Sequence, residues 1–186
     1  MAHGPDPEYP STIEKHNIMK EQKILVAYFT QKGKEDSTNC ARLAAQTEKL
    51  LKDKGITPDM FAIVPVETYP SDPEEFKAVT KLEKERRVRP EIVGKYSGMK
   101  HITGVILIAP NWWDSLPQAV LTWLDDYDFA DTKVVPVIST TDDAKNVHEE
   151  LRHFLQNWVL PGVDVKDTDT DNATEQLEKA ISQLIG

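Results

Sequence analysis

KILVAYFTQKGKEDSTNCARLAAQTEKLLKDKG, residues 23–55, decides the fold. Residues 23–29 are a short apolar run of strand length, with the continuous hydrophobicity of a strand buried on both faces. Residues 30–37 are a polar loop. Residues 38–54 then carry Ala41, Leu43, Ala44, Thr47, Leu50 and Leu51 at helical spacing, and Gly55 stands where a helix C-cap is expected. Strand, polar loop and amphipathic helix in that order form the first half of a βαβ unit.

The rest of the chain repeats the pattern. MFAIVPV (60–66) reads as a second strand, weakened toward its end by Pro65. A Pro- and acid-rich linker leads to a charged helical stretch at 74–87. ITGVILIA (102–109) is a third strand, and 116–127 a helix with Pro117 in its first turn, where proline is tolerated. KVVPVIS (133–139) is a fourth strand, 144–158 a helix, 163–166 a short edge strand, and 173–185 the last helix. Strands separated by single helices predict a parallel sheet, and right-handed crossovers place helices on both faces. Residues 23–186 are expected to form one domain, preceded by a polar, Pro-containing arm at 1–22 that lacks the apolar stretch of a signal peptide.

Composition narrows the function. A net charge of −9 repels phosphate backbones, so nucleic acid is not an expected partner. No apolar run approaches the ~18 residues of a membrane span. The single cysteine, Cys40, excludes a disulfide framework and a thiolate cluster; beside Ala41, Ala44 and Ala45 it reads as a buried structural thiol, in keeping with a reducing cytoplasm.

In open parallel sheets ligands bind outside the carboxyl ends of the strands, which selects the loops at 30–38, 110–115 and 139–143. In the first, TQKGKEDST, the hydroxyls of Thr30, Ser37 and Thr38 can donate to phosphate oxygens. Gly33 allows a tight turn, Gln31, Lys32 and Lys34 flank it, and the next helix presents unpaired N–H groups. An ordinary helix cap by Ser37 or Thr38 is the plainer use of the same residues. The second loop, Pro110, Asn111, Trp112, Trp113, Asp114 and Ser115, carries two adjacent tryptophans that cannot both enter one core from an extended chain. One is expected in a cleft, where an indole can stack on a planar ring; Trp113 is the one assigned that place. The third loop opens with Ser139, Thr140 and Thr141, and Asp142 or Asp143 can cap the following helix.

Phosphate at one loop and a flat ring between two others describe a mononucleotide site. KILVAYFTQKG, RVRPEI at 87–92, APNWWDSLPQAVLTWLDDYDF and KVVPVIST follow one another in an order and spacing that resemble the flavodoxin family over residues 23 to about 160. The resemblance is to its divergent bacterial branch with a Pro-x-Trp-Trp motif. It implies a three-layer, doubly wound, five-stranded parallel sheet in the order 2-1-3-4-5. It also implies FMN held without a covalent bond, with phosphate on Thr30, Lys32, Gly33 and Ser37. The ring is then expected against Pro110, Asn111, Trp112 and Trp113, beside Ser139 and Thr140. A redox protein or a nicotinamide donor is the partner it implies, in electron transfer or small-flavoprotein reduction. The alternative is a protein of this fold that has lost tight FMN binding and acts as an interaction module.

The chain departs from the family pattern in a longer phosphate loop bearing Glu35 and Asp36, in Asp114 where the family usually has glycine, and in Thr-Thr-Asp-Asp where the third loop is often glycine-rich. Asp114, Asp142 and Asp143 near a flavin would disfavour its anionic reduced form.

Three other patterns carry less. HEELRH (148–153) spaces its histidines about 140° apart on a helix, on different faces. DTDTDNATEQLE (167–178) has the acids of a calcium loop, but reads more simply as a polar loop whose Asn172 caps the last helix with Glu175. KLEKERRVR (81–89) is a basic cluster read as a solvated helix face.

Overall fold

Strands and helices alternate as the sequence predicts in the computed structural model, which describes residues 22–185. The arm expected at 1–22 falls outside these residues except for Gln22. Five strands form one parallel sheet: β1 (Ile24–Phe29), β2 (Asp59–Ile63), β3 (Gly104–Pro110), β4 (Lys133–Thr140) and β5 (Val163–Lys166). Their order is β2-β1-β3-β4-β5, so the sheet is doubly wound about β1 and β3. The main helices among the described residues are α1 (Asn39–Asp53), α2 (Pro73–Glu85), α3 (Gln118–Asp125), α4 (Lys145–Leu155) and α5 (Thr174–Ile185).

Period-2 alternation sends consecutive strand residues into different layers. Leu25, Ala27, Leu107, Ala109, Val134 and Ile138 pack with α3 and α4. Ile24, Val26, Ile106, Ile108, Val135 and Val137 pack with α1 and α5 on the other face. Both faces are covered, which is why the strands read as unbroken apolar runs. On α2 only Thr80 is buried, so that helix lies over the rim of the sheet rather than on its core.

Pro136 stands in the middle of β4, a place that proline usually avoids because it cannot donate to the ladder. The Val134 carbonyl accepts the Leu160 N–H at 2.7 Å on the β5 side. Alternate residues of a strand face the same neighbour, so the donor missing at Pro136 also faces β5. Gly162 lies against Pro136 at that point, and β5 pairs only from Val163 onward, opposite Val137.

Elements end close to where the sequence placed them. The second strand is shorter than its apolar run, stopping at Ile63, because residues 64–66 turn to meet 91–93: Val66 N–H bonds the Glu91 carbonyl at 2.9 Å and Val93 N–H that of Val64 at 2.8 Å. Residues 167–172 wind into a 3-10 helix, and Ala173, not Asn172, directly precedes α5.

Candidate functional site

Thr38 begins α1. Its backbone is extended (φ −69°, ψ 157°) and its hydroxyl accepts the Ala41 N–H at 3.2 Å, so it is the N-cap. The N–H groups of Asn39 and Cys40 in the first turn have no intrahelical acceptor. Thr30 is fully buried after β1; its hydroxyl donates to the Lys34 carbonyl at 3.2 Å and lies 2.8 Å from that of Thr38. Thr30 therefore braces the loop from within. Gly33 turns the chain at φ +86°, and its N–H donates to the Glu35 carboxylate at 2.9 Å. That bond holds the exposed Glu35 carboxyl below its usual range. A donor that could face a ligand phosphate is thus taken by a side chain two residues on.

The second loop is a tight turn closed at both ends. Trp112 N–H bonds the Ser115 carbonyl at 2.9 Å and Ser115 N–H that of Trp112 at 3.1 Å. The central residues Trp113 and Asp114 have φ +60° and +58°, the signs of a type I′ turn, which normally takes asparagine and glycine. Glu150 of α4 fixes the turn, accepting the Ser115 hydroxyl at 3.0 Å and the Leu116 N–H at 2.8 Å. The turn throws the two indoles apart. Trp112 is held edge-on by Phe29, Phe76 and Tyr69, with centroids 4.9, 5.2 and 5.6 Å away. Trp113 lies 40% exposed, and its indole N–H donates to Thr80 of α2 at 3.0 Å.

The third loop is tied to both neighbours. Asn111 N–H bonds the Ser139 carbonyl at 2.8 Å, and Asn111 Nδ2 donates to the Thr140 hydroxyl at 3.1 Å. Ser139 Oγ donates to the Asp167 carboxylate at 2.5 Å. Asp143 accepts the Lys145 N–H at 3.0 Å, but the N-cap of α4 is Ala144, one residue past the expected Asp142 or Asp143.

A cavity of about 520 Å³ opens among the three loops. Of the residues expected there, Gln31, Lys34, Ser37 and Thr38 line it from the first loop, Pro110, Asn111 and Trp112 from the second, and Ser139 from the third. The others stand off it. Thr30 and Thr140 are buried behind the wall, and Ser115 is committed to Glu150. Lys32, Gly33 and Thr141 face solvent, while Trp113 and Asp114 belong to a different cavity beside α2.

Four wall residues were not expected: Phe29, Asn39, Cys40 and Asp167. Asp167 directly follows β5, so extending the strand-end rule to the short edge strand would have found it. Phe29 ends β1, and Asn39 and Cys40 are the first turn after the loop. Cys40 is buried, and burial, with Asp167 nearby, pushes its thiol up, so it stays protonated.

The cavity suits a ring with a phosphate. The Ser37 hydroxyl, the Lys34 ammonium and two free helix amides stand at one wall, and an indole and a proline at another. Asn111 adds a buried Oδ1 with no partner among the described residues, an acceptor left over on the cavity wall. Asp167 is the one wall carboxylate and opposes an anion.

Among known proteins, the family model described as Flavodoxin matches residues 23–182. No curated protein matches the chain. A candidate flavoprotein from Bacteroides eggerthii DSM 20697 superposes with a TM-score of 0.65 at 21% identity, over 84% of this chain and 98% of that one. One from Bacteroides uniformis ATCC 8492 gives 0.66 at 20% identity, over 83% and 98%. A flavoprotein from Lactobacillus acidophilus NCFM, solved in complex with FMN, gives 0.62 at 15% identity, over 84% and 99%.

Proposed function

We propose, since this chain belongs to the flavodoxin family, that it binds FMN without a covalent bond and works in electron transfer or NAD(P)H-linked small-flavoprotein reduction. The observation that carries the reading is the cavity at the ends of β1, β3 and β4, with phosphate donors at one wall and Trp112 at another. Lys34, Ser37 and the amides of Asn39 and Cys40 would hold the phosphate, with Thr38 fixing the start of α1 behind them. Pro110, Asn111 and Trp112 would hold the ring. Bound FMN supplies the redox chemistry; these residues supply its position and electrostatics. No side chain has to act as acid, base or nucleophile for one-electron transfer.

FMN titration with flavin fluorescence as readout tests this. Saturable quenching at micromolar affinity or tighter is the expected result. Trp112→Ala should weaken binding by about 1–3 kcal/mol, the range for a base stacked on an aromatic ring, while Trp113→Ala should leave it near the parent value. Equal loss in both variants would reject the assignment of the ring to Trp112.

One pair of contacts favours a second reading, a protein of this fold that binds FMN weakly and serves as an interaction module. The Glu35 carboxylate takes the Gly33 N–H, and Asp167 puts a negative charge on the wall. Asp167→Asn keeps an acceptor for Ser139 and removes the charge. It should tighten FMN by roughly three- to tenfold, the effect of a unit charge several ångströms away in a half-solvated site. A folded protein that quenches no flavin at millimolar FMN, with or without Asp167, supports the module instead.

A further inference from the structure

Five non-glycine residues have positive φ among those described: Arg87, Trp113, Asp114, Asp131 and Gln156. The first three line one cavity of about 440 Å³, together with Lys81 and Lys84 of α2. Left-handed backbone is unfavourable for residues with a Cβ, and it clusters where function maintains it. Arg87 illustrates the point. It stands just past the C-cap of α2, with Val88 N–H on the Glu83 carbonyl at 3.0 Å and Arg87 N–H on that of Lys84 at 3.1 Å. That double bond pattern is a Schellman motif, and its left-handed position usually holds glycine. Here it holds an arginine, at φ +52°.

The charges point the same way. The chain carries −9 overall, yet residues 81–89 concentrate Lys81, Lys84, Arg86, Arg87 and Arg89. Arg89 is bound to Asp125 at 3.0 Å and to Gln118 at 3.1 Å, and Lys84 Nζ to the Trp113 carbonyl. Arg87 and Lys81 form no ion pair among the described residues. Lys81 Nζ lies over one face of the Trp113 ring, 5.6 Å from its centroid, which leaves a ligand ring the other face, and that indole is fixed by Thr80 and 40% exposed. Glu85 and Asp114 are the opposing carboxylates on this cavity's wall. A second cavity, of about 450 Å³, adjoins it through the shared side chains of Lys84 and Arg87, and its Glu150 is already committed to Ser115 and Leu116.

We propose that this corner is a second ligand site, which takes a nucleotide with its ring on Trp113 and its phosphate on Arg87 and Lys81. Each cavity is within the size range of small-molecule sites. A rigid, half-exposed indole offers a face to any planar ring. A guanidinium without a carboxylate partner offers paired donors to a phosphate monoester. The site lies across the 112–115 turn from the Trp112 cavity and does not depend on FMN.

The test uses the full chain and adenosine 2′,5′-bisphosphate as probe, by calorimetry, with and without one equivalent of FMN. Saturable binding in both conditions is expected, with adenosine and inorganic phosphate each weaker by about tenfold or more, since each keeps one of two contacts. Arg87→Gly and Trp113→Ala should each weaken the probe by about tenfold or more. Arg87→Gly should also raise the unfolding midpoint, because glycine accepts the left-handed position, so lost binding could not be laid to lost folding. No heat with the probe, or unchanged affinity in both variants, would overturn the proposal. So would displacement by a single equivalent of FMN, which fills the tighter Trp112 cavity first and would place the probe there, or a lowered midpoint for Arg87→Gly, which would make Arg87 structural.

Discussion

Trp123→Ala should cost about 3–5 kcal/mol of folding stability, the range for deleting a large buried aromatic side chain. Trp123 is fully buried on α3 and fills the space between helix and sheet. Its ring lies near parallel to Phe61 of β2, at 6.4 Å and 24°, and packs against Tyr127 at 5.2 Å and Phe129 at 5.7 Å. Three rings from two segments rest on it, so none can collapse into the void without leaving its own place. Urea unfolding with a shared m-value measures the loss; a cost under about 1 kcal/mol would mean that the cluster repacks freely.

Gly162→Ala should cost about 3 kcal/mol, with left-handed strain contributing ~1–2 and overlap ~1–3. A Cβ there would meet the Pro136 carbonyl oxygen at 2.3 Å and Pro136 Cγ at 2.5 Å, with φ at +72°. The obstacle is a backbone atom of a central strand and a closed ring, and neither can swing aside. The residue is anchored besides, its N–H and carbonyl bound to the Gln183 amide at 2.7 and 3.1 Å. A mild loss in thermal and urea unfolding alike would show that β5 can shift along β4.

The sheet was legible because each strand is an apolar run buried on both faces and each crossover carries one amphipathic helix. The strand-end rule then found the three loops without any structure. The division between the tryptophans was not legible. It depends on two successive left-handed residues, Trp113 and Asp114, and neither residue type announces that conformation. The sequence alone does not separate the two indoles of the Pro-x-Trp-Trp motif; the turn sends Trp113, the one assigned to the ring, to α2 and leaves Trp112 on the cavity. Asp167 escaped because its acid-rich segment reads as a solvated loop, and only the closing of β5 against β4 brings it to Ser139. Thr30 reads in the sequence as a phosphate donor, but full burial turns its hydroxyl inward. The basic run at 81–89 reads as a solvated face because sequence periodicity cannot reveal the turn that lays Trp113 beside it.

The two edges of the sheet have a consequence for how copies of the chain meet. Beside β2, the next length of chain is already paired, since residues 64–66 bond to 91–93 in antiparallel fashion. On the far side β5 offers four residues, with Asp164 and Lys166 exposed, before the backbone winds into a 3-10 helix. Short, charged or capped edges give an incoming strand little to template on, which is how natural sheets avoid edge-to-edge aggregation. The donor missing at Pro136 extends that protection inward: if β5 peeled away, the β4 face laid bare would lack a donor midway along its length, and would make a poor seed for a foreign strand.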